Sequence, residues 1–178
     1  VEHDPIRALS LQLLHFLAEF RVVLDASDVC AADLRVIELT NAERAKASIA
    51  PLAAMAMPEE PIVAEDGTMV LAAGAPLVEH PALRKAAEEY AQLLLDSGTF
   101  SHTGPDGSTV VQRIQRAGYS PLRAAGENLW SGHATPDELV RRLMESPGHR
   151  ANILSPAYTE IGVGRRAGLT VQCFGSRR

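Results

Sequence analysis

Two histidines and one glutamate stand in short polar phrases in the C-terminal half of the chain. His102 follows Thr99-Phe100-Ser101, Glu127 lies in Gly126-Glu127-Asn128-Leu129, and His149 lies in Ser146-Pro147-Gly148-His149-Arg150. The glycine, proline, serine and asparagine residues around them shape irregular backbone rather than fill a core. Side chains on loops held by rigid elements are often used in binding. We therefore take His102, Glu127 and His149 as candidates for one site.

Two neutral imidazoles and a carboxylate can form a zinc shell with one position open, as in catalytic or exchangeable sites. The spacing is not that of an HExxH helix, because Pro147 and Gly148 interrupt the helix between Glu145 and His149. The alternative is that both histidines are hydrogen-bonded structural residues and that Glu127 binds backbone amides. The residues alone do not decide between the two.

A hydrolase with a serine nucleophile is the rival from another class. Ser101 adjoins His102, yet neighbouring residues of an extended segment point to opposite sides and do not easily form a nucleophile–base hydrogen bond. The chain also has no Gly-x-Ser-x-Gly elbow. The sequence therefore gives this mechanism little support.

Composition narrows the class of protein further. A chain of 178 residues that is 46% hydrophobic can bury one good core. The net charge of −5 and the pI near 5.7 provide no general attraction to phosphate backbones or anionic membranes, so nucleic acid is not an expected partner. No apolar run approaches the roughly 18 residues that span a bilayer, so no transmembrane segment is expected.

The N-terminal extension, residues 1–29, carries its own pattern. Apolar residues at helical spacing from Ile6 to Val23 predict an amphipathic helix. This helix either docks on the rest of the chain, or it joins two copies in a homodimer or binds another partner. Turn-forming residues at Asp25-Ala26-Ser27-Asp28 are expected to end it.

The next segments lead towards the candidate site. A second helix is predicted over Ala32–Lys46, with Asn41 and Arg44 together on a solvated face. An insertion at about 53–77 contains Asp66-Gly67 between two runs of β-formers, which predicts a hairpin.

The later elements are predicted to position the three candidate side chains. Helices followed by a compact antiparallel sheet indicate the α+β class. The predicted helices are Pro81–Asp96 with a stop at Gly98, Thr109–Ala117 with Ser108 as cap, and Pro136–Ser146 ended by Pro147; the predicted strands are Thr159–Gly164 and Leu169–Phe174.

Several phrases follow one another in a characteristic order over residues 34–175. They are Asn41-x-x-Arg44, the Ala86-Ala87 to Ala91 helix with Phe100-Ser101-His102, Gly126-Glu127-Asn128, Ser146-Pro147-Gly148-His149-Arg150-x-Asn152-Ile153-Leu154, and Ile161-Gly162-Val163-Gly164. This order resembles the CAP superfamily, whose SCP domain is shared by cysteine-rich secretory proteins, antigen 5 and plant pathogenesis-related proteins. The bacterial extracellular branch is the most similar. The resemblance implies an α-β-α sandwich, here over residues 30–178.

The resemblance also implies a cleft with two histidines and two acidic residues, often able to hold a divalent metal. His102 matches the first histidine, Glu127 the first glutamate and His149 the second histidine. Ser146 falls on the position of the second glutamate, and Glu145 is displaced from it by one residue. One residue on a helix rotates a side chain by about 100°, so Glu145 need not face the cleft.

The function expected from this resemblance is that of a secreted or envelope-exposed binding module. Its ligand would be a small molecule, lipid or peptide, and His102 and His149 would hold Zn²⁺ or another divalent cation. The alternative is a peptidase-like hydrolase with Glu127 as base on a metal-bound water. In an exported protein, Cys30 and Cys173 are expected to form one disulfide.

Overall fold

The structure is a computed structural model that describes residues 26–54 and 75–178, with side chains described at 31–47 and 75–178. Its helices are α1 (Ala26–Ala54), α2 (Pro81–Ser97), α3 (Val110–Arg116), α4 (Pro136–Glu145) and α5 (Pro147–Leu154); its strands are β1 (Val78–Glu79), β2 (Leu122–Ser131), β3 (Glu160–Arg166) and β4 (Leu169–Arg177).

The four described strands form one sheet in the order β1-β3-β4-β2. The hairpin expected between the last two strands is confirmed: β3 and β4 pair antiparallel up to Arg166 and Leu169. Ala167 and Gly168 connect them with positive φ angles of 44° and 84°, as in a tight two-residue hairpin turn. The sheet is mixed rather than purely antiparallel, because β1 pairs with β3 in parallel.

Helices cover both faces of this sheet, which confirms the α+β class and the α-β-α sandwich. Alternation along β4 divides the core, since Val171 and Cys173 belong to one apolar cluster and Phe174 to the other. The first cluster contains residues of α2 and α3, and the second contains residues of α1, α4 and α5.

Helix α2 lies very close to β3. The helix begins at Pro81, as expected, and His80 caps it by accepting a hydrogen bond from the Ala82 N–H at 3.1 Å. Gly98 ends it with a φ of 63°. A Cβ built on Gly162 would lie 2.0 Å from the backbone nitrogen of Arg84, so only glycine permits this contact between helix and strand.

Helix α1 corrects two expectations. It runs without a break from Ala26 to Ala54, so the predicted turn at 25–28 is wrong from Ala26 onwards, and the helix is longer than Ala32–Lys46. Arg44, expected on a solvated face, is only 1% exposed. Its guanidinium donates to the carbonyl groups of Ile153 at 2.7 Å and Ala75 at 2.9 Å, among others. A buried arginine is stable here because backbone carbonyls surround its donors.

Asn41, three residues before Arg44 on α1, has a similar role. The side chain of Asn41 donates to the Leu77 carbonyl at 3.0 Å and accepts from the Leu77 N–H at 2.8 Å. Asn41 and Arg44 therefore fasten the segments before β1 and after α5 to α1.

Three features of the secondary structure near the candidate site differ from those expected. Thr109, not Ser108, caps α3 through a capping box with Gln112. The polar phrase at Glu127 is the middle of β2, not a loop, and pairs with β4 so that Glu127 lies opposite Cys173. Pro147 ends α4 but also begins α5, since proline suits a first helical turn.

Some expectations lie outside the described residues. These are the amphipathic helix at Ile6–Val23, the hairpin at 62–71 and the side chain of Cys30, and the boundary of the N-terminal extension stays a prediction. Cys173 is a free thiol that is 1% exposed, and burial raises its pKa. The expected disulfide with Cys30 is not supported.

Candidate functional site

His102 and Glu127 are brought together by different elements. His102 lies in the connection between α2 and α3, and Glu127 lies in the middle of β2. The Nδ1 atom of His102 is 2.8 Å from Oε1 of Glu127. The imidazole side chain is 63% exposed, whereas the carboxylate side chain is only 2% exposed. A buried carboxylate thus holds an exposed ring at the protein surface.

Arg113 of α3 occupies the other side of the carboxylate. Its Nη2 atom lies 2.6 Å from Oε2 of Glu127 and also donates to the His102 carbonyl at 3.1 Å. Its Nη1 atom donates to the Ser108 carbonyl at 2.7 Å. Arg113 was not among the residues expected at the site, because no recognisable phrase surrounds it in the sequence. Both oxygens of Glu127 are therefore engaged by protein groups.

Tyr90 of α2 contacts both Arg113 and the backbone next to His102. The guanidinium carbon of Arg113 lies 3.4 Å from the centre of the Tyr90 ring, a cation–π contact in the interior. The Tyr90 hydroxyl donates to the Ser101 carbonyl at 2.5 Å. The backbone on both sides of the His102 side chain is thus tied to buried groups.

His149 lies after the end of α4, in the first turn of α5, a helix that the sequence analysis did not predict. The side chain of Asn128 donates to the His149 carbonyl at 3.2 Å, and Asn152 donates to the Glu127 carbonyl at 3.1 Å. These two amides fasten α5 to β2. Burial lowers the pKa of His149, and the nearby His102 lowers it further. The second histidine is therefore neutral over a wider pH range than usual.

A buried polar chain continues from β2 towards α1. Asn128 donates to the side-chain carbonyl of Gln172 at 3.0 Å, and Gln172 donates to the Thr40 hydroxyl at 3.2 Å. Each group in this chain has a partner, as buried polar groups require. The asparagine of the Gly-Glu-Asn phrase is therefore part of the framework behind the site.

The two candidates for a fourth member are placed differently. Glu145 forms an ion pair with Arg141 at 2.5 Å, and its side chain is 60% exposed. Ser146 is half-buried between α4 and α5 and makes no side-chain cap bond there. Glu145 thus lies on the outer face of α4, as a rotation by one residue would place it. Of the other described histidines, His80 caps α2 and His133 is exposed.

A closed metal site does not fit these residues. Within 31–47 and 75–178, no group of three or more His, Cys, Asp or Glu side chains is arranged to hold an ion. Both carboxylate oxygens of Glu127 are already engaged, one by His102 and the other by Arg113. Among the described candidate residues, the side chains that could still bind a metal ion are the imidazoles of His102 and His149.

Comparison with known proteins agrees with the fold. Residues 37–168 match the family described as CAP, the cysteine-rich secretory protein family. The chain therefore belongs to the CAP family. It is 36% identical over 138 residues to the uncharacterized protein YkwD of Bacillus subtilis, covering 78% of this chain and 44% of that relative. The chain thus spans less than half the length of that relative.

Two solved structures are similar to the chain. One is an extracellular protein containing an SCP domain from Bacillus anthracis, with a TM-score of 0.64, 22% identity, and coverage of 85% of this chain and 42% of that one. The other is an outer surface protein of Borrelia burgdorferi, with a TM-score of 0.53, 29% identity, and coverage of 57% and 78%. The first likeness concerns the fold alone.

Proposed function

We propose that this CAP domain is an extracellular binding module whose ligand contacts the imidazoles of His102 and His149. The observation that carries the proposal is an imidazole that is 63% exposed and is held at 2.8 Å by a carboxylate that is 2% exposed. A carboxylate that orients an imidazole from behind is the arrangement by which proteins position histidines that bind metals.

The extracellular location is supported by the similar proteins. One solved structure is described as extracellular and another as an outer surface protein. Among the described residues, no helix is long and apolar enough to cross a membrane. The ligand on this proposal is extracellular, and its class is a small molecule, a lipid or a peptide.

A divalent cation such as Zn²⁺ fits the two imidazoles as an open, exchangeable site. Imidazole nitrogen is a good zinc ligand, and Glu127 would act from behind as the group that orients His102. A bound cation would supply a positive charge for carbonyl or anionic groups of the ligand. Because the part of the chain that the structure describes offers only two protein ligands here, we expect modest affinity.

The hydrolase alternative gains no support from this geometry. It needs Glu127 to accept a proton from water, but the carboxylate is buried and both its oxygens are engaged. The binding function requires only that Glu127 stay where it is. We therefore favour the binding module.

Titration calorimetry with ZnCl₂ at neutral pH tests the proposal. We expect the wild type to bind, and His102→Ala and His149→Ala each to lose binding while keeping their melting temperature nearly unchanged. Glu145→Gln is the matched control and should bind as the wild type does, because its carboxylate pairs with Arg141. Equal zinc binding by wild type and both alanine variants would refute the metal site.

A further inference from the structure

We infer that a groove at the junction of α4 and α5 binds a peptide segment that carries an apolar side chain and a carboxylate. The groove has a volume of about 330 Å³ and is lined by Met144, Glu145, Pro147, Arg150, Ala151 and Leu154. Ligand pockets of proteins measure about 300–1,000 Å³, so this volume is sufficient for a small ligand group. The lining contains neither His102 nor His149, and the inference therefore goes beyond the proposed function.

The side of α5 that lines the groove differs from the side that faces β2. The lining residues of α5 lie at the spacing of one helical face, and they are Pro147, Arg150, Ala151 and Leu154. Asn152 lies on another face, where it donates to the Glu127 carbonyl at 3.1 Å. Helix α5 thus presents one face to β2 and a second face to the groove.

Two apolar side chains form a fixed base for the groove. Met144 and Leu154 are half-buried and pack against the apolar cluster that contains residues of α1, α4 and α5. Because the core holds their inner sides, their outer sides keep their positions and can contact an apolar group of a ligand. Pro147 and Ala151 are exposed beside them. Burial of this surface favours a ligand with an apolar side chain.

Arg150 gives the groove its net charge. Its side chain is exposed and forms no ion pair or side-chain hydrogen bond with any residue in 31–47 or 75–178. Glu145, the other charged residue of the lining, already pairs with Arg141 at 2.5 Å. The groove therefore carries one uncompensated positive charge. Its complement is a carboxylate, which can accept two parallel hydrogen bonds from a guanidinium.

The edge of the groove favours a peptide over a fatty acid. The Oε1 atom of Glu145 contacts Arg141, which leaves Oε2 as an acceptor for a further donor. A peptide has N–H groups that can donate to this oxygen. The chain of a fatty acid has no donor and would remove part of the carboxylate from water without compensation. The occupant on this inference is therefore a peptide segment.

Two-dimensional NMR of nitrogen-15-labelled, metal-free protein with N-acetyl-Leu-Glu-amide tests the inference. We expect this peptide to shift the backbone amides of residues 144–154. N-acetyl-Leu-Gln-amide has the same shape without the charge and should bind about two- to fivefold more weakly, as for the loss of an exposed ion pair. Sodium decanoate should bind more weakly than either peptide. Equal binding of the two peptides, or no shift with any of the three compounds, would overturn the inference, and tighter binding of decanoate would replace the peptide by a lipid.

Variants of the lining identify the binding surface. Arg150→Gln should bind the two peptides equally, and Ala151→Glu should bind neither, because it adds a negative charge to the groove. Arg142→Gln is the matched control, since Arg142 lies on α4 outside the lining and pairs with Glu138 at 3.1 Å. It should bind as the wild type does. Unchanged affinity in Arg150→Gln or in Ala151→Glu would contradict the inference. Arg150→Gln should keep the zinc affinity of the wild type, so that the groove and the metal site are tested independently.

Discussion

The guanidinium of Arg113 and the carboxylate of Glu127 lie 2.6 Å apart in the interior, with 8% and 2% of their side chains exposed. His102, which is 63% exposed, completes the set from the surface. The ion pair is therefore part of the buried core and also part of the candidate site. Substitution of either residue should change both the stability of the fold and the position of His102.

Glu127→Gln should destabilise the domain because it leaves Arg113 as an uncompensated buried charge. Breaking one side of a buried pair costs about 3–5 kcal/mol in the free energy of unfolding. Chemical denaturation at pH 7 measures this. Glu145→Gln breaks an exposed pair and should cost less than about 1 kcal/mol. Equal stability of Glu127→Gln and wild type would show that the pair is not buried as described.

Gly162→Ala should be strongly destabilising, because its Cβ would lie 2.0 Å from the Arg84 nitrogen and force α2 away from β3. Overpacking of this kind costs about 1–3 kcal/mol, and more when backbone must move. Gly148→Ala is the matched control, since a Cβ there meets nothing within 4 Å. It lies in helix α5 and should be neutral or stabilising by up to about 1 kcal/mol. Thermal unfolding of both variants decides the point, and similar melting temperatures would contradict the close contact.

Asp33 of α1 should make the domain less stable as pH rises from about 4 to about 7. Its side chain is buried, one carboxyl oxygen has no hydrogen-bond partner among the described residues, and burial raises its pKa to about 7. Arg165, Arg166 and Arg84 oppose this shift, and Glu88 adds to it. In this range the native state holds a proton that the unfolded state has lost, so stability falls with rising pH.

Asp33→Asn should remove that pH dependence and be more stable than the wild type above pH 7. Denaturation curves at several pH values for both proteins provide the measurement. A pH profile that is identical in the two proteins would contradict the raised pKa of Asp33.

His149 should act in the opposite direction at lower pH. Burial and the neighbouring His102 lower its pKa, so the native state stays neutral while the unfolded state takes up a proton below about pH 6.5. The unfolded state then binds more protons, and stability falls as pH falls below that value. His149→Gln should show a smaller loss of stability between pH 7 and pH 5. A slope equal to that of the wild type would mean that His149 is not shielded from water.

The elements with strong periodicity could be predicted from the sequence. The apolar stripe of α2, with Pro81 at its start and Gly98 after its end, was sufficient, although the cap at His80 was not predicted. The pattern of β3 and β4 with their short turn was sufficient as well. Leu95 is the exception within that stripe, because it is 42% exposed at the last turn of the helix. Local spacing identified α2 because one face of this helix is buried, whereas β3 and β4 are short apolar runs that are buried on both faces.

The residues that build the site were harder to predict because their partners are distant in the chain. Spacing placed Arg44 in solvent, since it cannot show that carbonyl groups more than a hundred residues away receive its donors. The Gly-Glu-Asn phrase has turn-forming residues, and its pairing with β4 outweighs their preference. Arg113 has no recognisable phrase around it. Its role follows only from the distance to Glu127.

Anomalous diffraction at the zinc edge, from crystals grown with ZnCl₂ near pH 7.5, tests the central claim most directly. We expect one strong peak bonded to both His102 and His149, at about 2.0–2.1 Å from a ring nitrogen of each, with Glu127 still bonded to Nδ1 of His102. The absence of zinc at His102, or a peak bonded to Glu127 in place of Arg113, would contradict the account.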